Sequence, residues 1–350
     1  MEDTEMTDSP APTGTFVPPS VLKPTLLTGA STTYFSPVPP TLLPPSDEQD
    51  GASTGAGTGT STATGPACCL GVDEAGRGPV LGPMVYGVFY LPLDISDALL
   101  RSDAHRFDDS KVLTAAFRSE LMRQLCAEGT DLHRSCGWAT KGLSARDISA
   151  GMMRPATTGA YNLNAQALDA TVELIRGVYN RGVNVQEIYV DTVGQPAAYQ
   201  AKLQRHFPTA KITVTKKADS LFACVSAASV CAKVTRDAAL ETMFEAWKGE
   251  GGAEETATWG SGYPGDSKTV NHLKSNMHPV FGWGNECRFS WNTAKDMIEG
   301  KGPGVVKVDW PVDDDGETSR VTDFFSSGDD KAETNELGAW YGTSAGLEAF

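Results

Sequence analysis

The chain has 350 residues, 40% of them hydrophobic and 8% aromatic, which is apolar material for one large domain or two small ones. Its net charge of −15 taken alone argues against a nucleic-acid partner. Residues 1–65 carry seven acids against one base and residues 301–350 eleven against four, which leaves −2 on 66–300, so acidic ends flank a nearly neutral body and the total excludes neither kind of partner.

Residues 1–65 are rich in Pro, Ser, Thr and Gly, and the run 51–65 is almost entirely Gly, Ala, Ser and Thr. Such a segment buries too little apolar surface to offset its ordering entropy, so a disordered leader is expected. No basic n-region and apolar h-region open it, so no secretory signal is expected. The body begins at Cys68-Cys69-Leu70-Gly71-Val72-Asp73, a short apolar run ending in acids and then glycine, the pattern of a buried strand feeding a functional loop. Val85–Leu91 reads as a second, antiparallel strand, Thr114 as the cap of a helix over Ala115–Glu128, and Trp138 as part of a third strand. A long helix is expected over Ala156–Asn180, a strand over Glu187–Asp191, a helix from Pro196 and a β-branched strand over Lys211–Thr215. Ala218–Trp247 reads as one helix, with small residues at Ala223, Ser226, Ala227 and Ala232 that permit close packing. A glycine-rich loop over Gly260–Asp266 and helices over Lys268–Met277 and Thr293–Glu299 follow. Strands followed by strand–helix alternation give an α/β domain over 66–300, a mixed central sheet flanked by helices with a helical C-terminal extension. The acidic residues 301–350 are expected to be mostly disordered.

The seven cysteines are Cys68, Cys69, Cys126, Cys136, Cys224, Cys231 and Cys287; they include no C-x-x-C pair, so neither a disulfide frame nor a zinc site is expected. The five histidines include no H-E-x-x-H pair. No apolar run is long enough to span a bilayer. Chemistry is instead suggested by carboxylates at strand ends, where open α/β sheets carry their sites: Asp73 with Glu74, then Asp191, with Asp219 opening a helix just after a strand. Clustered carboxylates repel one another unless a cation is bound, and a hard divalent ion such as Mg²⁺ takes a few of them plus substrate phosphate and water. Two such ions could stabilise the attacking and leaving oxygens of a phosphodiester displacement. Singly, Asp191 is equally a turn residue and Asp219 a helix cap.

The loop Gly76-Arg77-Gly78-Pro79 follows the first acids directly. Glycine permits close backbone approach, and Arg77 can pair with phosphate. A dinucleotide fingerprint fails because Leu81 occupies the last glycine position, and a P-loop fails at Gly260–Gly265 because Asp266 stands where the lysine is needed. Lys111, Lys233 and Arg236 are candidate phosphate contacts or, equally, surface charges.

The stretch Gly71-Val72-Asp73-Glu74-Ala75-Gly76-Arg77-Gly78-Pro79 resembles the signature of the type 2 ribonuclease H (ribonuclease HII) family. Asp109-Ser110-Lys111, Tyr161-Asn162-Leu163-Asn164, Val190-Asp191-Thr192-Val193-Gly194, Lys217-Ala218-Asp219, Ser226–Ser229 with Ala232-Lys233, and Gly260-Ser261-Gly262-Tyr263-Pro264 also fit, in order, over about residues 68–300. The pattern closely resembles that of the eukaryotic catalytic subunit. The resemblance implies a ribonuclease H-like fold, with Asp73, Glu74, Asp191 and Asp219 as metal-binding catalytic acids for two Mg²⁺ ions, or Mn²⁺ as substitute. It implies that the Gly76-Arg77-Gly78 backbone contacts ribose 2′-hydroxyls and that Tyr263 senses the 2′-hydroxyl at an RNA–DNA junction. It implies cleavage of the RNA strand of RNA/DNA hybrids and of duplex DNA 5′ of single embedded ribonucleotides, leaving 3′-hydroxyl and 5′-phosphate ends. It further implies a nuclear heterotrimer with two non-catalytic subunits, acting in primer removal and ribonucleotide excision repair. A nuclease of the same fold acting on DNA, and a non-catalytic scaffold, are the competing readings. In the tail, Val321-Thr322-Asp323-Phe324-Phe325 reads as a hydrophobic anchor on a partner subunit or, less well because Thr318 replaces the expected Gln, as a sliding-clamp peptide.

Overall fold

The computed structural model describes residues 16–45, 64–107, 113–155, 159, 161–192, 194–251 and 258–300. The motif Asp109-Ser110-Lys111, residue Val193 and the tail segment Val321–Phe325 lie outside the described residues. Six strands form one sheet: β1 Thr32–Phe35, β2 Cys68–Ala75, β3 Met84–Pro92, β4 Gly137–Leu143, β5 Val185–Asp191 and β6 Lys211–Thr215, in the order β1-β4-β3-β2-β5-β6. The first four in this order pair antiparallel, and β2-β5-β6 run parallel.

The first strand corrects the expectation of a wholly disordered leader. Residues 16–45 form helix α1 (Lys23–Leu27), then β1, which closes one edge of the sheet by pairing Thr32–Phe35 with Ala139–Gly142. Composition hid it because four residues of strand leave little periodic signal within a Pro- and Thr-rich segment. Polar contacts hold it at long range: the Ser31 hydroxyl donates to Asp147 at 2.6 Å and Thr33 to Glu173 at 2.9 Å.

The remaining helices are α2 Ser96–Leu100, α3 Ala115–Cys126, α4 Asp131–Ser135, α5 Ala145–Met152, α6 Leu163–Tyr179, α7 Pro196–His206, α8 Ala218–Leu221, α9 Ala223–Gly251, α10 Ser267–Ser275 and α11 Asn292–Ile298. Thr114 caps α3 as expected, accepting from the Phe117 N–H. Most boundaries shift by a few residues from those expected, and two departures are larger. Asn162 caps α6 at Ala165, so that helix starts at Leu163 rather than Ala156, and α5, capped by Ser144, is a separate helix. The helix expected over Ala218–Trp247 breaks at Phe222, which is extended and stacks on Tyr189 with ring centroids 4.1 Å apart.

Alternation on β2 divides the core. Cys68, Leu70 and Val72 face α6 and pack with Ala170, Leu174, Ile175 and Val178. Cys69 belongs to the opposite layer with Phe89, Leu91, Trp138 and the α9 residues Val225, Ala228 and Cys231. A third cluster joins Val80 and Leu81 to Leu240, Trp259, Leu273 and Cys287, so the C-terminal helices pack on the loop that follows β2.

Helix α9 lies directly on the sheet because glycine faces it there. A Cβ at Gly71 would stand 2.3 Å from the Cys224 carbonyl oxygen, and one at Gly87 would stand 2.5 Å from that of Ala228. Backbone cannot yield as a flexible side chain can, so Gly71→Ala should cost roughly 1–3 kcal/mol, a Tm loss of about 3–10 °C. A thermal melt of this variant within 1 °C of wild type (roughly, the reproducibility of such a melt) would mean that helix and sheet are not in such close contact.

Candidate active site

Parallel pairing sets Val72 beside Val190, so β2 and β5 deliver the next residues, Asp73 and Asp191, side by side at the same edge of the sheet. Asp73 is buried on the α9 side, where its Oδ1 accepts from the Glu74 N–H at 2.7 Å and its carboxylate accepts from the Ser229 hydroxyl of α9. Burial, with Glu74 and Asp191 nearby, pushes its carboxyl up to about 8 despite these bonds. Burial likewise pushes Glu74 up to about 7; the Arg77 guanidinium opposes the shift and Asp191 adds to it. The Asp191 Oδ1 accepts from the Ala218 N–H at 2.8 Å, which ties β5 to the first residue of α8 and brings buried Asp219, the next residue, to the same edge. Among the described residues no three His, Cys, Asp or Glu side chains close a metal cage on protein atoms alone. The arrangement is an open set of carboxylates, three of them coupled through their charges.

The glycine loop lies beside these acids. The Arg77 guanidinium donates to Asn164 Oδ1 at 2.5 Å and stands 4.0 Å from Glu74, so its side chain braces a carboxylate within the protein. Asn164 therefore belongs to the site. The loop's carbonyls are taken by residues that the sequence reading did not single out. Fully buried Arg288 donates from Nη2 to the Gly76 carbonyl at 2.6 Å, from Nη1 to that of Arg77 at 3.1 Å and from Nε to that of Gly82 at 3.0 Å. The Trp291 indole donates to the Gly78 carbonyl at 3.0 Å and lies 4.7 Å under the Arg288 guanidinium. In a trans peptide the carbonyl and the following N–H point opposite ways. Arg288 thus turns the N–H groups of Arg77 and Gly78 away from itself, while the peptide held by Trp291 precedes Pro79 and has no N–H. A charge within the aromatic run Cys287-Arg288-Phe289-Ser290-Trp291 was the available signal.

Tyr263 closes the arrangement. It is 45% exposed, and a Cβ added to Gly78 would touch its ring at 3.3 Å. The two loops are sewn together by Val80 N–H donating to the Gly262 carbonyl at 2.8 Å. Arg236, expected as a phosphate contact or a surface charge, is instead buried between the loops. It donates to the Ser261 carbonyl at 2.9 Å and to Asp237 at 3.0 Å, and its guanidinium stands 5.9 Å from the Tyr263 ring. Lys233 is half-buried on α9, one helical turn beyond Ser229. Lys111 lies outside the described residues.

Asp73 moves from an ordinary 3.8 to about 8 on folding, so between these values the folded chain holds a proton that the unfolded chain releases. Folding stability therefore falls as pH rises through that window. Asp73→Asn keeps an acceptor for the Glu74 N–H without the charge. In chelator-treated buffer it should melt several degrees above wild type near pH 8, and match it near pH 4. A pH-independent difference would mean that burial and repulsion are not the cause. Arg288→Gln strands buried carbonyls and should cost about 2–4 kcal/mol together with at least ~10-fold in kcat/KM. Arg288→Lys should recover little of the activity, because an ammonium cannot reproduce the fork. Full activity in the lysine variant would show that charge alone suffices.

The sequence model of the family described as Ribonuclease HII matches residues 70–294. One subunit of the Neurospora crassa ribonuclease H2 is 57% identical over 347 residues, 99% of this chain and 100% of the relative. The corresponding Homo sapiens ribonuclease H2 subunit is 42% identical over 259 residues, 74% of this chain and 82% of the relative. The crystal structure of the ribonuclease H2 from Pyrococcus horikoshii superposes with a TM-score of 0.52 at 28% identity, covering 66% of this chain and 96% of that one. The mixed sheet with its flanking helices is thus a ribonuclease H-like fold. The chain belongs to the ribonuclease HII family, as a catalytic subunit of the eukaryotic type and a ribonuclease H endonuclease.

Proposed function

We propose that the chain hydrolyses the RNA strand of RNA/DNA hybrids and cuts duplex DNA on the 5′ side of single embedded ribonucleotides, leaving 3′-hydroxyl and 5′-phosphate ends. One observation carries this reading: a tyrosine ring lies against a glycine loop whose N–H groups are turned from Arg288, immediately beside clustered carboxylates. The 2′-hydroxyl distinguishes RNA from DNA at a given position. Glycines on both sides of Arg77, whose own side chain is turned to Asn164, let backbone N–H groups approach it closely, and Tyr263 offers a flat face for the sugar and a phenol for hydrogen bonding.

The donor set fits a hard divalent cation. All four side chains are carboxylates, and two are held at raised pKa by burial and mutual repulsion that a cation relieves. Asp73, Glu74, Asp191 and Asp219 would hold Mg²⁺, or Mn²⁺ in its place, as two ions completed by substrate phosphate and water. When bound, the ions supply charge stabilisation to the attacking and leaving oxygens. The chain's own residues supply placement: Ser229 and the Glu74 N–H orient Asp73, Arg77 steadies Glu74, and the Ala218 N–H orients Asp191. The two loops select the ribose.

Among the described residues no helix is long and apolar enough to cross a membrane. The relatives are each named as one subunit of ribonuclease H2, which supports work alongside further subunits, here two non-catalytic ones in a nuclear heterotrimer. Primer removal and excision of misincorporated ribonucleotides are the corresponding roles.

The test compares three duplexes: all DNA, DNA with one ribonucleotide, and a long hybrid, with the chain in its co-expressed assembly. Cleavage of the last two and not the first is expected. Tyr263→Ala should lower cutting at the single ribonucleotide by at least ~10-fold and cutting of the hybrid by less. Equal loss on both would remove Tyr263 from junction sensing. Cleavage of the all-DNA duplex would make the enzyme a DNA nuclease.

A further inference from the structure

We propose that Lys217 grips a backbone phosphate of the substrate at the rim of the acid cluster, an inference that rests on the nuclease reading above. Lys217 forms the turn from β6 into α8 and has φ 59° and ψ 39°, the left-handed region. Among the described residues only Arg106 shares a positive φ without being glycine. A side chain is strained in that region and glycine is not, so an L-residue found there, beside a cluster of acids, points to a use for its side chain. The next residue, Ala218, holds Asp191 through its N–H, and the one after is Asp219. Lys217 and its neighbour Lys216 are both exposed, whereas Asp219 is buried.

Charge adds a second line. A polyanionic strand must come up to carboxylates, and its phosphates need cations close by. Three arginines near the loops are committed inside the protein: Arg77 to Asn164 and Glu74, Arg236 to Ser261 and Asp237, and Arg288 to loop carbonyls. The lysine turn presents exposed positive charge next to the two acids that Ala218 and Asp219 contribute or hold.

The strain makes the proposal testable without confusing folding with binding. In Lys217→Gly the turn loses its strain and its charge together. The variant should melt at or above wild type, because glycine adopts this conformation freely. Binding of a fluorescent RNA/DNA hybrid, measured without divalent metal by the full chain in its assembly, should weaken about 3- to 10-fold near 0.1 M salt. The slope of log affinity against log salt should flatten by about 0.9, one phosphate contact. Lys217→Arg should keep both affinity and slope. Unchanged affinity and slope in Lys217→Gly, with wild type binding normally, would overturn this proposal and leave the nuclease reading intact. So would a lower Tm in that variant, or an equal loss of binding in Lys217→Arg. Failure of wild type itself to bind the hybrid in this buffer would also overturn the phosphate grip, while the nuclease reading is decided separately by the three-duplex cleavage test.

Discussion

The structure depends on one line of contact between helix α9 and glycine. Cys224 lies over Gly71, Ala228 and Ala232 over Gly87, Arg236 against Gly76 and Leu240 against Gly82. These helix residues recur every four positions, so they form a single ridge along roughly 24 Å of helix. Four glycines take that ridge, two in strands and two in the loop after β2. A helix axis normally stands about 10 Å from a sheet because side chains fill the gap. Here backbone meets backbone, and the position of α9 relative to β2 is set with little freedom.

Every part of the site is referenced to that contact. Ser229, one residue past Ala228, meets Asp73 two residues past Gly71. Arg236, two turns further along, reaches both the glycine loop and the loop that carries Tyr263. The carboxylates and the two loops proposed to meet the ribose are therefore placed by the same helix, and a shift of one moves the other. In the proposed function this matters because phosphodiester chemistry depends on where the reacting phosphate sits relative to the carboxylates, while selectivity would depend on where the adjacent ribose sits relative to Gly78 and Tyr263. One rigid element relating the two is a physical reason for a nuclease to be selective for the sugar next to the bond it cuts.

The sequence was legible where a local rule governed. Asp191 at the end of β5, the Thr114 cap and the close-packing Ala232 of α9 follow from patterns a few residues long, whereas β2 runs past Asp73 to Ala75 and the rest of the contact ridge falls on residues without a local signal. Illegible parts were those set by distant partners. Strand β1 exists because β4 offers an edge more than a hundred residues away, and its own four residues carry no alternation to reveal it. Arg77 and Arg236 are residue types that serve phosphate and surface equally well. Only the positions of Asn164 and of the Ser261 carbonyl turn both inward. Arg288 was missed for the same reason: its three acceptors lie over two hundred residues earlier in the chain.

These inward-turned arginines explain how a site of repelling acids stays folded. Asp73 sits buried and Glu74 largely so, both with raised pKa, and the Gly76-Arg77-Gly78 turn beyond them has a positive φ at Gly76 and no apolar side chain to pack. Left alone, such a segment would open first, since local stability follows buried contacts and satisfied hydrogen bonds. Arg288 and Trp291 supply four bonds to loop carbonyls from the hydrophobic cluster of Trp283, Leu273 and Cys287, which also takes in Val80 and Leu81 further along the loop. The stability of the C-terminal helices is thereby lent to the Gly76-Arg77-Gly78 turn, which packs no apolar side chain of its own. The fork geometry matters as much as the charge, because one guanidinium holds three carbonyls in fixed relation and so sets the directions of the N–H groups behind them. In this chain the helical extension is thus a working part of the catalytic domain, and the precision of the glycine loop is set from its back.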